Sequence, residues 1–244
     1  MRYPTNRAYA VIMALVTVVV AVVLHMILTD SNMFVVNSWL HSVQVLVHEF
    51  GHAFATRITG GQVMALVVGS DGGGFVQAVG GWHTLILPAG YLGSALIGST
   101  VFYFNNRYQW GAVVAFGVGI VMGLFALTYA QPDQATGTQL TLIVAAVLTI
   151  VVFLVSKYLP WHFGVVLINL LSAYIALDAI NGLRALELLS RQDHANDAVQ
   201  FSQLYPIFNG NQWATIWLAI ALVIFGLAIY RGVVRPLWHP KPDR

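Results

Sequence analysis

The chain has 244 residues, of which 58% are hydrophobic and 8% charged, against about 25% charged in an average soluble domain. That excludes an ordinary soluble fold, and a net charge of +2 is too small to argue for nucleic acid as a partner. No cysteine is present, which excludes disulfides and confines any metal to nitrogen and oxygen ligands.

From the start, residues Ala8 to Leu28 carry no formal charge over about the 20 residues needed to cross a hydrocarbon core. The run is too long for the apolar region of a signal peptide and is read as an uncleaved anchor. Further apolar segments follow at residues 39–58, 83–104, 110–130, 138–156, 162–189 and 214–230. Short links such as Asn105-Asn106-Arg107 and Gln131-Pro132-Asp133 separate them. The fold class expected is an all-α polytopic membrane protein of about six to seven membrane helices with a small β-hairpin after the second segment. Seven crossings would place the termini on opposite sides. Yet Arg2 and Arg7 at one end, and Arg231, Arg235, Lys241 and Arg244 at the other, all belong by charge on the cytoplasmic face. One segment is therefore expected not to cross. It is 39–58, which carries His41, His48, Glu49, His52 and Arg57 and would be costly facing lipid.

Between Gly60 and Gly81 the pattern changes. Gly-Gly-Gln-Val-Met-Ala-Leu-Val-Val, then Gly-Ser-Asp-Gly-Gly-Gly, then Phe-Val-Gln-Ala-Val reads as two short strands around a turn. Non-helical backbone at membrane depth must be packed in protein or line a wet cavity, so a polar hollow is expected nearby. Asp71 is expected to serve the turn itself.

The preceding segment holds His48-Glu49-Phe50-Gly51-His52. On a helix, residues four apart sit one above the other, so His48 and His52 point the same way and can bind one zinc ion through ring nitrogens. Glu49, one step round, is placed to take the proton from a water that the ion activates. The flanking residues are apolar, and unpaired ionisable groups there would be expensive; a metal removes much of that cost. His41 falls near the same face and is read as an interfacial side chain.

A catalytic zinc takes three protein ligands and keeps one position open. Among the carboxylates Asp178 alone lies inside a long apolar stretch, residues 165–183, where it must be protonated or paired, so it is the expected third ligand. Asp197, in the polar stretch Arg191 to Ser202, is the alternative, with a rival role in capping a short helix that runs toward Phe201.

These residues resemble the site-2 protease family of intramembrane metallopeptidases, and more closely its short branch that lacks a PDZ domain. The resemblance rests on four parts taken in order: Val47-His48-Glu49-Phe50-Gly51-His52-Ala53; Thr59-Gly60-Gly61 with Asp71-Gly72-Gly73-Gly74; Ala89-Gly90-Tyr91-Leu92-Gly93-Ser94-Ala95; and Asn196-Asp197-Ala198 with Trp213 downstream. It implies zinc held by His48, His52 and Asp178, with Glu49 as base. Familiar members place the aspartate in Leu-Asp-Gly, whereas here Leu177-Asp178 is followed by Ala179, with Asn181-Gly182 further on. The family also uses an asparagine near the substrate strand, for which Asn169 and Asn181 are the candidates.

The function expected is zinc-dependent hydrolysis of a peptide bond in or next to a transmembrane segment of a membrane-protein substrate, within the lipid bilayer of the cell membrane. The chain is read as one domain over 1–244, with an anchor at 1–38, a catalytic core at 39–189 and a polar link, last helix and basic tail at 190–244. Two other classes are weighed against it. A divalent-metal transporter needs more ionisable groups along a path than this chain offers. A noncatalytic scaffold would bind client helices through small-residue faces such as Gly90, Gly93, Ala95 and Gly98.

Overall fold

The computed structural model describes residue 12 and residues 15–23, 34–134, 136–190 and 196–238. Residues 15–23 are helical (α1), and the rest of the expected first span, 8–28, lies outside the described residues apart from residue 12. Then come α2 (Phe34–Ile58), β1 (Gln62–Val68), β2 (Gly74–Val79), α3 (His83–Tyr108), α4 (Gly111–Tyr129), α5 (Leu140–Tyr158), α6 (Trp161–Ser190), α7 (Asp197–Leu204) and α8 (Gly210–Ile229). A π-helical turn, Tyr230–Val234, and the short α9 (Arg235–Trp238) continue from α8.

The chain is an α-helical polytopic membrane protein with a two-stranded hairpin. Among the described residues five helices, α3, α4, α5, α6 and α8, are long and apolar enough to cross a bilayer, and α2 is not one of them. The expected spans between 83 and 230 correspond to these five. One expected link does not exist: Asn105, Asn106 and Arg107 lie inside α3. The reason is that both asparagine amides find partners on α6. Asn105 and Asn106 each donate to Asn169 Oδ1 at 2.8 Å, and Asn169 donates back to Asn106 Oδ1 at 3.0 Å. With its polar groups satisfied the helix continues to Tyr108, where Gln109, in the left-handed conformation at φ 61°, ends it.

The hairpin is antiparallel, with Leu66 opposite Val76 and a bulge between Val63 and Ala65. Its turn is closed by Gly69 N–H donating to Gly73 O at 2.7 Å and by Gly73 N–H donating to Asp71 Oδ1 at 2.9 Å, the local role expected of Asp71. The two strands differ in environment. Val63, Ala65, Leu66, Val67 and Val68 of β1 are buried, whereas β2 is exposed along most of its length. The far side of β1 is tied down by Gln131 N–H to Leu66 O and by Val68 N–H to Thr141 Oγ1. No described strand pairs with the outer edge of β2.

Two apolar clusters flank α2 and α3. One joins α2 (Leu46, Val47, Phe50, Ala53) to β1, α4 and α5. The other joins α3 (Leu87, Ala95) to α6, α7 and α8 through Leu183, Phe201, Trp217 and Ala221. The histidine motif sits on the seam between them.

Candidate metal centre

Helices α2 and α3 cross at unusually short range. A Cβ on Gly51 would stand 2.2 Å from Ala89 O. One on Gly90 would stand 2.4 Å from His52 Nε2 and 2.5 Å from His48 Nε2. Only glycine lets the α3 backbone lie against the imidazoles, so the sequence that faces them must read Ala89-Gly90. Contact also fixes the rings. His52 Nδ1 donates to Ile86 O on α3 at 2.7 Å, which leaves Nε2 as the coordinating atom of the neutral ring. His48 has Tyr91 against it, ring centroids 4.4 Å apart at 76°.

The third partner comes from α7. Asn196 is the N-cap of that helix, its side chain accepting from Val199 N–H at 3.0 Å. Asp197, as the first helical residue, is thereby freed from the capping role that the sequence allowed it. Its Oδ2 lies 3.4 Å from His52 Nε2 and 3.8 Å from His48 Nε2, and the two Nε2 atoms are 3.1 Å apart. Helix α7 is seated by Phe201, whose ring meets Trp213 at 4.7 Å and Trp217 at 5.3 Å.

Among the described residues His48, His52 and Asp197 form the one group of three or more His or acidic side chains whose ligand atoms converge in this way. The donor set fits a single divalent ion. Tetrahedral bonds of about 2.0–2.1 Å put ligand atoms about 3.3 Å apart, and the observed separations of 3.1, 3.4 and 3.8 Å bracket that value. Burial pushes the Asp197 carboxyl up, but imidazoles protonated at Nε2, His52 by hydrogen bond and charge and His48 by charge, would outweigh it and hold its pKa below the ordinary carboxylate value. A metal cation is a stronger partner of the same sign.

Glu49 is buried on α2 beside this group, and the hairpin reaches it. A Cβ on Gly74, the first residue of β2, would stand 2.8 Å from Glu49 Cγ and 2.6 Å from Val45 Cγ1. The open strand therefore begins directly against the motif.

Asp178 is not in the converging group. It lies on α6 and is only half-buried. His41 precedes His48 by seven residues, about 10 Å along a helix axis. The hydrophobic run around Asp178 marked it as buried, and it is half-buried, but hydrophobic surroundings alone do not bring a carboxylate to the imidazoles. His41 also holds the hairpin turn, with Nε2 donating to Gly72 O at 2.8 Å. Asn169 is 2% exposed and bound to Asn105 and Asn106, so its amide is occupied within the helix packing. Asn181 is exposed on α6. Sequence reasoning gave no role to Tyr91 and gave Gly90 one only in the scaffold reading, although both stand in one of the quoted motifs. The small residues of Ala89-Gly90 were the available signal, since they permit close backbone approach.

A membrane-embedded helix bundle that brings two histidines four residues apart, a glutamate between them and an aspartate from elsewhere to one point defines the class of membrane metallopeptidases. The chain belongs to the Peptidase M50B-like family, whose profile matches residues 10–228, and so to the site-2 protease family that its motifs resemble. No curated protein and no solved structure matches the chain.

Proposed function

We propose that His48, His52 and Asp197 hold one zinc ion and that the protein cleaves a peptide bond in or next to a transmembrane segment of another membrane protein. The observation that carries this is the convergence of three ligand atoms beside Glu49 and the open strand β2. In this reading Asp197 replaces Asp178 as third ligand, because Asp178 is outside the converging group while α7 presents Asp197 to both imidazoles.

Zinc, when bound, supplies a Lewis acid that polarises a carbonyl and acidifies water from about 15.7 toward about 7. The chain's own residues do the rest. Glu49 takes the proton of the attacking water and returns it to the leaving amide nitrogen. Ile86 O and the Tyr91 ring keep the imidazoles aimed. The free edge of β2 accepts an unwound substrate segment as an added strand, which pairs alternate backbone groups of the guest with β2 and leaves the others open to attack. Gly74 brings the start of that strand onto Glu49, and the ties from Gly72 O to His41 and from Ser70 to Asp133 Oδ2 (2.7 Å from the hydroxyl) hold its turn. The short β-strand edge supports a membrane-protein substrate, because a transmembrane helix must lose its own hydrogen bonds before it can be cut.

The test uses purified protein in detergent with a fluorescence-quenched casein as an unstructured probe. Cleavage is expected to stop on chelation and return with zinc. Glu49→Gln should keep its zinc and lose at least about 10²-fold in rate. Undiminished cleavage by that variant would overturn the mechanism.

A further inference from the structure

Among the described residues Tyr91 is the one aromatic side chain set against the metal-binding imidazoles, and the proposed chemistry uses only its ring. Its ring stands edge-on to His48, and its other side reaches α6, where a Cβ on Gly182 would stand 3.0 Å from Tyr91 Cε1. The side chain is thus wedged between α2 and α6. The imidazole it touches is the one whose Nε2 lies 3.8 Å from Asp197 Oδ2, so the side chain stands beside the converging group. Among the described residues the Tyr91 hydroxyl has no hydrogen-bond partner. The residue is half-buried and its hydroxyl is not among the buried polar atoms that lack a partner, so it is open to a group that enters the site, a contact that phenylalanine could not make.

A phenol with an ordinary pKa near 10 carries its proton at neutral pH and so can donate. Its neighbours, Glu49 and Asp197, are acceptors already committed to the water and to the ion. The group in such a site that gains an acceptor during reaction is the carbonyl oxygen of the scissile peptide, which takes on negative charge as water adds to its carbon. We propose that the Tyr91 hydroxyl donates a hydrogen bond to that oxygen and is a catalytic residue of this peptidase, while its ring positions His48. The inference rests on the peptidase reading above. The ring and hydroxyl functions separate cleanly, since phenylalanine keeps the first and removes the second.

Tyr91→Phe, compared with wild type on the quenched casein probe, is expected to lose about 10²-fold in kcat, the usual effect of removing one oxyanion donor. KM and bound zinc should stay at wild-type values, and the visible spectrum of the cobalt-substituted protein should not move. Tyr91→Ala, which also removes the ring, should shift that spectrum and weaken metal binding. Tyr91→Phe with wild-type kcat, or with lost zinc, would overturn the proposal, the second because the hydroxyl would then serve the metal site and not the reaction. Wild-type protein that holds zinc but cleaves nothing would overturn the peptidase reading itself. Active wild type beside a fully active Tyr91→Phe would overturn this inference alone.

Discussion

Two buried polar clusters hold this bundle together, and they are chemically opposite. Between α3 and α6, Asn105, Asn106 and Asn169 exchange donors and acceptors until the amides are mutually bound. Between α2 and α7, His48, His52 and Asp197 turn three electron-pair donors toward one point. The first cluster is complete as protein and serves packing. The second has a favourable state only with a proton or a cation in its midst, so it serves chemistry. Burial is common to both, and the kind of atom that is buried decides the role.

The comparison can be broken at several points. The largest effect is expected from Asp197→Ala. Losing one of three ligands forfeits a share of the about 10–16 kcal/mol that small zinc sites contribute, so affinity should fall about 10²–10³-fold in a chelator competition. Asp178→Ala should bind zinc as wild type does, because Asp178 is outside the converging group; the reverse pattern would restore Asp178 as ligand. Next comes Gly90→Ala, whose methyl would stand 2.4–2.5 Å from the two Nε2 atoms. The imidazoles must turn away, and metal analysis should find the protein largely zinc-free. Gly93→Ala is the control, since its Cβ meets nothing closer than Gly51 Cα at 3.6 Å. The smallest effect on the site is expected from Asn169→Ala. It removes the Oδ1 acceptor that Asn105 and Asn106 share, leaving them Val165 O and Phe102 O, at a cost of about 1 kcal/mol. Melting should move down while zinc content stays unchanged, and loss of zinc would show that the two clusters are coupled.

Much of this was legible along the chain. The five spans, the hairpin and its Asp71 turn follow from hydropathy and from local glycine chemistry, which depend on near neighbours. His48, Glu49 and His52 were legible because a helix of known pitch fixes which of its residues share a face. Which aspartate converges with the imidazoles was not. Asp178 has the more hydrophobic surroundings, so one-dimensional reasoning prefers it, while Asp197 looks like a loop or cap residue. Asn196 takes the cap, and the docking of Phe201 on Trp213 and Trp217 carries Asp197 to the imidazoles. Asn105 and Asn106 looked like a link for a related reason: polarity reads as exposure until a partner helix is known.

By itself, then, the sequence determined a polytopic helical membrane protein, a hairpin, and a helix face bearing two histidines and a glutamate, because each follows from periodicity within one element. Only the tertiary structure decided which carboxylate joins them, why α3 must present glycine to the rings, and that Tyr91 stands beside them. Those are contacts between elements far apart in the chain. Their closeness depends on how α2, α3, α6 and α7 pack, which no single stretch of residues encodes.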